Sequence, residues 1–306
     1  MNSTSIGTLT PVVDSAEHEQ LKYFTYKPIN IAPEIALSVY FIVGSVLVWQ
    51  IVHWRAQRWI GILPGTAFAE ALGYAFRTAC VYNTTFGMYV LMTLFLLVPP
   101  NALALANYKA VGKIMRDSPS AQPRWFFLKP GFVNWFYFAS DIFSICMQGA
   151  GGGMLTGDKT RDAGRAIVLV GLTVQLFFFA CFLVTTVFVW RRPEYTVHVS
   201  VCDQSHAQAK RRVMLAVTST TVLLYLRSIY RIAEFADGYG GKVYSSEWAF
   251  YVFDTILIFL AFLVYIALFI GHNFPRQRKI ADNPASGQDG HMPADSAQYL
   301  VSKEHA

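Results

Sequence analysis

Seven stretches of this chain, each about 20 residues long, run almost bare of charge, and that is the length needed to cross a hydrocarbon core of about 30 Å. They cover roughly 33–52, 64–82, 86–107, 131–149, 166–190, 213–235 and 248–270. In lipid, backbone N–H and C=O groups must find partners within the spanning segment or in a closed barrel. Segments of this length therefore point to an all-α fold: a polytopic membrane protein built as a seven-transmembrane-helix bundle. The charge content agrees, at 14% against about 25% in a soluble domain.

The connections set the orientation. The net charge of +6 comes from short basic clusters between the apolar runs, a pattern that calls for no nucleic-acid partner. Counted on alternate sides, Lys and Arg fall fifteen against six, which places the N-terminus outside and the C-terminus in the cytoplasm. The expected organisation is an extracytoplasmic tail over 1–32, a transmembrane domain over 33–272 and a disordered cytoplasmic tail over 273–306. The first apolar run is expected to act as its own insertion signal. The sequons at Asn2 and Asn83 then both lie outside, with Asn2 the usable glycosylation site because Asn83 sits too near the bilayer.

Charge within the apolar runs is the candidate for function. Residues 225–254 place Arg227, Arg231 and Glu234 at i, i+4, i+7 on the sixth run, and Glu247, Tyr251 and Asp254 on one face of the seventh. A charge at a membrane centre costs about 2.5–3.5 kcal/mol on insertion scales, so these groups must pair or line a polar cavity. The second run carries Glu70, Tyr74 and Arg77 on one face; the fourth carries Asp141, Ser144 and Gln148; Gln175 lies midway along the fifth. With the N-terminus outside, most of this charge converges on one layer in the outer leaflet. The expected ligand-binding set is Arg77, Asp141, Gln148, Gln175, Arg227, Tyr230, Arg231, Glu234, Glu247, Tyr251 and Asp254. A purely structural ion-paired seam is the competing reading. Arg231 is expected to pair with Glu247 or Asp254, and Asp141 to face the cavity. Asp141, Glu234, Glu247 and Asp254 outnumber Arg77, Arg227 and Arg231, which leaves a carboxylate for a cationic ligand; an anionic headgroup would use the arginines instead. Asp141 or Asp254 is the candidate for any proton coupling.

Two punctuation marks carry local expectations. Pro99-Pro100-Asn101 should interrupt the third helix, kink it and free backbone carbonyls. The glycines from Gly149 to Gly153 read as an exit turn after the fourth helix, and the Phe-rich fifth helix as ordinary packing or lipid-facing surface.

Other classes fail on missing residues. Cys80, Cys146, Cys181 and Cys202 fall in helices or a cytoplasmic loop and make no disulfide framework. The histidines lie at helix ends, loops or tails, away from a zinc-ligating constellation. The seventh run holds no lysine for a retinal Schiff base, and Asp158 stands where a phosphate loop needs Lys. No metal, ATP, cofactor or covalent step is implied, and the chain does not read as an enzyme. A seven-helix receptor shares the topology but would ordinarily show an acidic-Arg-aromatic triplet, an Asn-Pro-x-x-Tyr ending and an outer cysteine pair. A lipid sensor without those marks is the runner-up.

Several motifs in order resemble the fungal lipid-translocating exporter family over about residues 33–275. They are Gly73-Tyr74-Ala75-Phe76-Arg77, Ala104-x-x-Asn107-Tyr108-x-x-Val111-Gly112-Lys113, and Asp141-x-x-Ser144-x-x-x-Gln148-Gly149-x-Gly151-Gly152. Gly171-Leu172-x-x-Gln175 follows, then Arg227-x-x-Tyr230-Arg231-x-x-Glu234, and Glu247-x-x-x-Tyr251-x-Phe253-Asp254. The third-helix ending departs, with Lys113 where an Arg is expected. The resemblance implies seven helices and movement of, or resistance to, amphiphiles such as sphingoid bases and aminocholesterol. It implies a fungal plasma or vacuolar membrane, and links some relatives to porphyrins.

Overall fold

The computed structural model describes residues 31–82, 85–116, 118, 130–155, 159–195, 206–238, 241 and 246–273. Among them run seven long helices: α1 (Ile31–His53), α2 (Ile62–Tyr82), α3 (Phe86–Arg116), α4 (Pro130–Met154), α5 (Arg161–Arg191), α6 (His206–Asp237) and α7 (Glu247–Ala267). Short 3-10 turns cover Arg58–Gly61 and Ile270–Asn273. Residues 1–30 and 274–306 of the expected tails, with Asn2, lie outside the described residues, as do Asn83 and Cys202. Cys146 and Cys181 are free thiols, and Cys80 is buried.

The surface is inverted relative to a protein folded in water. Large apolar side chains such as Phe41, Trp49, Phe143, Phe177, Val184 and Trp248 face outward, while Glu70, Arg77, Arg227 and Asp254 are buried. A soluble monomer rarely exposes apolar area on this scale. Five helices (α1, α3, α5, α6 and α7) are long and apolar enough to span a membrane on their own account. α2, whose apolar character is diluted by Glu70 and Arg77, has 21 residues, about 31 Å at 1.5 Å per residue. Together these features define a polytopic all-α membrane protein.

Neighbours in sequence pack as neighbours in space, from α1–α2 through α6–α7, and α1 also meets α7. α3 is the interior helix: besides α2 and α4 it touches α5 and α6. Cross-helix bonds give the directions. Tyr40 of α1 bonds at residue 255 of α7 and Gln50 at residue 266, so those two run parallel. Arg77 and Tyr74 of α2 meet Glu247 and Thr255, so α2 runs against α7. Arg165 at the start of α5 donates through Nε to the Phe235 carbonyl at 2.7 Å, and through Nη2 to the Ala236 carbonyl. It thereby satisfies carbonyls that the last turn of α6 leaves open. Gly238, at φ +80°, then takes the left-handed position that closes such a helix.

Three boundaries differ from the sequence expectation. α3 is not interrupted at its proline pair but continues as helix to Arg116. Its added turns bury Ala110, Val111 and Ile114, with Lys113 and Arg116 in the last turn, where cations suit the helix dipole. α6 likewise starts at His206 rather than near 213, burying Ala209, Val213 and Met214. The glycine run is no exit turn either: 149–153 are helical and belong to α4. Their use is close approach. A Cβ on Gly151 would stand 2.6 Å from the Gly164 carbonyl oxygen, and one on Gly164 would stand 2.7 Å from that of Gly151. Small residues at a membrane helix crossing let two backbones meet in this way.

Candidate functional site

The densest polar feature lies between α2, α6 and α7. Asp254 is wholly buried. Its Oδ1 lies 3.0 Å from Arg231 Nε and its Oδ2 accepts from Arg231 Nη2 at 3.1 Å, a bidentate pair. Arg227 Nε approaches Oδ1 from the other side at 2.8 Å, as an ion pair whose N–H is not aimed at the oxygen. Arg231 also reaches Glu234 through Nη1 at 3.2 Å. A second pair sits nearer the end of α2: Arg77 Nη2 donates to Glu247 Oε1 at 3.2 Å, and its Nε to the Tyr251 hydroxyl at 3.3 Å. Phe250 joins the two groups. The Arg77 guanidinium lies 4.5 Å from its ring centroid and that of Arg231 5.4 Å, so one aromatic ring serves two cations.

The proline pair of α3 completes this network. A proline lacks the N–H that would bond the carbonyl four residues back. Pro100 therefore leaves the Leu96 carbonyl open, and Arg227 Nη2 donates to it at 3.1 Å. Pro99 does the same for Phe95, whose carbonyl lies against Gly73 of α2; a Cβ there would stand 3.0 Å from the Phe95 oxygen. Of the carbonyls foreseen as freed by Pro99-Pro100, that of Leu96 thus takes a donor from α6 and that of Phe95 packs against α2, and the helix goes on through both prolines.

One turn of α7, Tyr251–Ile256, is wound as a π-helix, a feature common at functional sites. It contains Asp254 and Thr255. The Thr255 carbonyl accepts from Tyr40 of α1 at 2.7 Å, and its hydroxyl is 2.6 Å from that of Tyr74. Tyr40 and Tyr74 stack with ring centroids 5.5 Å apart. One turn from Tyr74 on α2 lies Glu70, 0% exposed, with neither carboxyl oxygen in a hydrogen bond.

The predicted set divides accordingly. Arg77, Arg227, Arg231, Glu234, Glu247, Tyr251 and Asp254 come together. Of the two partners foreseen for Arg231, Asp254 is the one it takes, and Glu247 goes to Arg77. Tyr230 stacks its ring on Phe253 at 5.6 Å. Gln148 and Gln175 belong elsewhere, in a chain across α3, α4 and α5. Gln175 Nε2 donates to Asn101 Oδ1, and its Oε1 accepts from Gln148 Nε2 at 2.9 Å. Ser144 closes the chain by donating to the Gly171 carbonyl at 2.5 Å. Replacing Gln175 by leucine strands Asn101 and Gln148 and is expected to cost about 1–3 kcal/mol, read as a lower melting temperature in mild detergent. Asp141 is apart from both groups. It is buried and faces the Tyr108 hydroxyl of α3, outside ordinary hydrogen-bond geometry. A third polar level joins Asn107 to Tyr265 and Thr220, at 2.5 and 3.1 Å.

Sequence reasoning missed Phe250 and Asn101 as members of these networks, and Glu70 as their neighbour. Glu70 had a signal, since it shares a face with Tyr74 and Arg77. Phe250 had only its place between charged residues, and Asn101 only its place after two prolines.

A seven-helix membrane protein with a desolvated guanidinium–carboxylate network between α2, α6 and α7 is the class defined by these features. Residues 64–277 match the family described as RTA1 like protein, and the chain belongs to that family. Protein RTA1 of Saccharomyces cerevisiae is similar at 31% identity over 204 residues, which is 66% of this chain and 62% of that protein. Protoporphyrin uptake protein 1 of Saccharomyces cerevisiae shares 26% over 269 residues, 86% of this chain and 77% of the relative. Sphingoid long-chain base transporter RSB1 of Saccharomyces cerevisiae shares 22% over an alignment of 356 positions, 99% of this chain and 90% of the relative. The match thus spans less than two thirds of Protein RTA1, though most of the other two. No solved structure matches the chain significantly.

Proposed function

We propose that this protein binds an amphiphilic lipid and carries it across a fungal plasma membrane, with sphingoid long-chain bases as the leading substrate class. The observation that carries the reading is the buried network of Arg77, Arg227, Arg231, Glu234, Glu247 and Asp254, placed in helices that otherwise show apolar side chains to their surroundings. Intramembrane charge on this scale commonly marks a substrate or ion pathway. The name of one relative, a sphingoid long-chain base transporter, supports that substrate class, and that of another, a lipid-translocating exporter-like protein of Leptosphaeria maculans, supports movement of a lipid. With the N-terminus outside, as the Lys and Arg distribution indicates, the network lies in the outer leaflet. Arg231 and Glu234 are its less buried members, their side chains 13% and 12% exposed. They make the natural point of contact for a headgroup. Asn2 would then carry any glycan, the chain would work without a cofactor, and no enzymatic step would be involved.

A sensor that binds without transporting is the second reading, favoured by the fact that each of the three arginines is already paired. The deciding experiment uses vesicles containing this protein alone and a fluorescent sphingoid base. Faster movement of the label across the bilayer than in empty vesicles, slowed in Arg231→Gln, is the expected result. Saturable binding with movement no faster than in empty vesicles would replace transport by sensing. Displacement of the label by protoporphyrin would widen the substrate class to porphyrins.

A further inference from the structure

Glu70 stands apart from the network it borders. The three arginines of that network are engaged with Glu234, Glu247 and Asp254. Glu70 has no ion pair and no hydrogen bond, and no solvent exposure. A carboxylate buried in that way is among the costliest groups a protein can hold, and binding a proton is the cheapest remedy. The charges around it can be named helix by helix. α1 offers the Tyr40 hydroxyl, α2 its own Tyr74, α6 Arg227 and Arg231, and α7 Asp254. α3 presents Leu96 and the Phe95 carbonyl to α2 near Gly73, one turn from Glu70.

Charge balance follows from the named groups. Arg77, Arg227 and Arg231 match Glu234, Glu247 and Asp254 one for one, and a neutral Glu70 leaves the site neutral. Adding one cation restores neutrality only if Glu70 gives up a proton. We infer that Glu70 is the proton-exchanging carboxyl of the lipid site, releasing one proton when the ammonium group of a long-chain amine takes its place beside the carboxylate. The step makes one ion pair, Glu70 carboxylate to ammonium, and breaks one O–H bond, with the proton passing to water. Site charge is zero before and after. Asp254, held by two guanidiniums, is poorly placed for this exchange, whereas Glu70 has nothing to give up but the proton. The inference rests on the amphiphile-binding reading above and names the chemistry of its ligand: a protonated amine.

The test uses the full chain in lipid nanodiscs and dodecylamine as the probe. Infrared difference spectra of wild type on adding the amine should lose the carbonyl stretch of a protonated carboxylic acid, and Glu70→Gln should lack that change. In weakly buffered solution, a pH dye should report about one proton released per amine bound by wild type and none by Glu70→Gln. Glu70→Gln, which keeps the side-chain volume, should bind the amine at least about tenfold more weakly. Amine binding by wild type with no proton release and no infrared change would overturn the exchange while leaving lipid binding intact. Release undiminished in a folded Glu70→Gln would overturn the assignment to Glu70. Failure of wild type to bind the amine while it binds an anionic or porphyrin probe would overturn the ligand class. Binding of no amphiphile at all would remove both this inference and the function it rests on. Should the variant not fold, the wild-type spectra and proton counts still decide whether a proton is exchanged, and Glu70→Asp, which keeps the acid, locates it by a shifted carbonyl stretch.

Discussion

Asp254→Ala is expected to lower stability by about 3–5 kcal/mol, the range for removing one partner of a buried ion pair. The size follows from what remains. Arg231 keeps Glu234, but Arg227 keeps, among the described residues, a hydrogen bond to the Leu96 carbonyl and no ion pair, and its charge loses compensation. Denaturation in mild detergent, read by the helix signal, measures the loss. Adding Arg227→Leu to Asp254→Ala should recover a large part of it, because the uncompensated charge goes and an apolar side chain replaces it. The double variant then tests the pairing itself: residues in one network show coupling energies of about 0.5–3 kcal/mol. Strict additivity of the two substitutions would mean that Arg227 and Asp254 do not interact in the folded protein.

A comparably large effect is expected at the α4–α5 crossing. Gly151→Leu and Gly164→Leu each push a side chain into the opposite backbone, where even a Cβ meets a carbonyl oxygen at 2.6 or 2.7 Å. Overpacking of this kind costs about 1–3 kcal/mol, and rigid backbone as the obstacle points to the upper end or beyond. The helices must separate to relieve it, which pulls Gln148 of α4 from Gln175 of α5. Thermal stability should therefore fall at both positions. Gly152→Leu is the control, because nothing lies within 4 Å of a Cβ there. Equal tolerance at Gly151 and Gly152 would argue against the crossing.

The helices were legible because their signal is long. About 20 apolar residues in a row leave few alternatives in lipid. The network of α6 and α7 was legible for a related reason: charge is scarce in such runs, so Arg227, Arg231, Glu234, Glu247 and Asp254 stood out at helical spacing. Helical periodicity tells which residues share a face, but not which other helix that face meets. The polar chemistry of Asp141, Gln148 and Gln175 suits the same headgroup as the arginines, but they pack around α3 in contacts of their own. Glu70 was visible on the face of Arg77 yet left out, since its distinction is the lack of a partner, and that is a property of three dimensions. The glycines of α4 misled because the same residue that permits a tight turn also permits two helices to touch. The π turn had no mark at all: residues 251–256 contain neither proline nor glycine.

A π turn fits one residue more into its span than an α-helix needs, so α7 carries a spare residue between its two ends. Deleting one residue from 251–256 would restore ordinary winding with little change in length or in the angle between the two ends, because the wider turn absorbs its extra residue without extra rotation. Glu247, which faces Arg77, lies before that turn, and Tyr265, which bonds Asn107, lies after it. Both contacts should therefore outlast the deletion. The surplus residue reshapes only the turn that carries Asp254, like slack taken up at one link of a chain whose two ends stay in register.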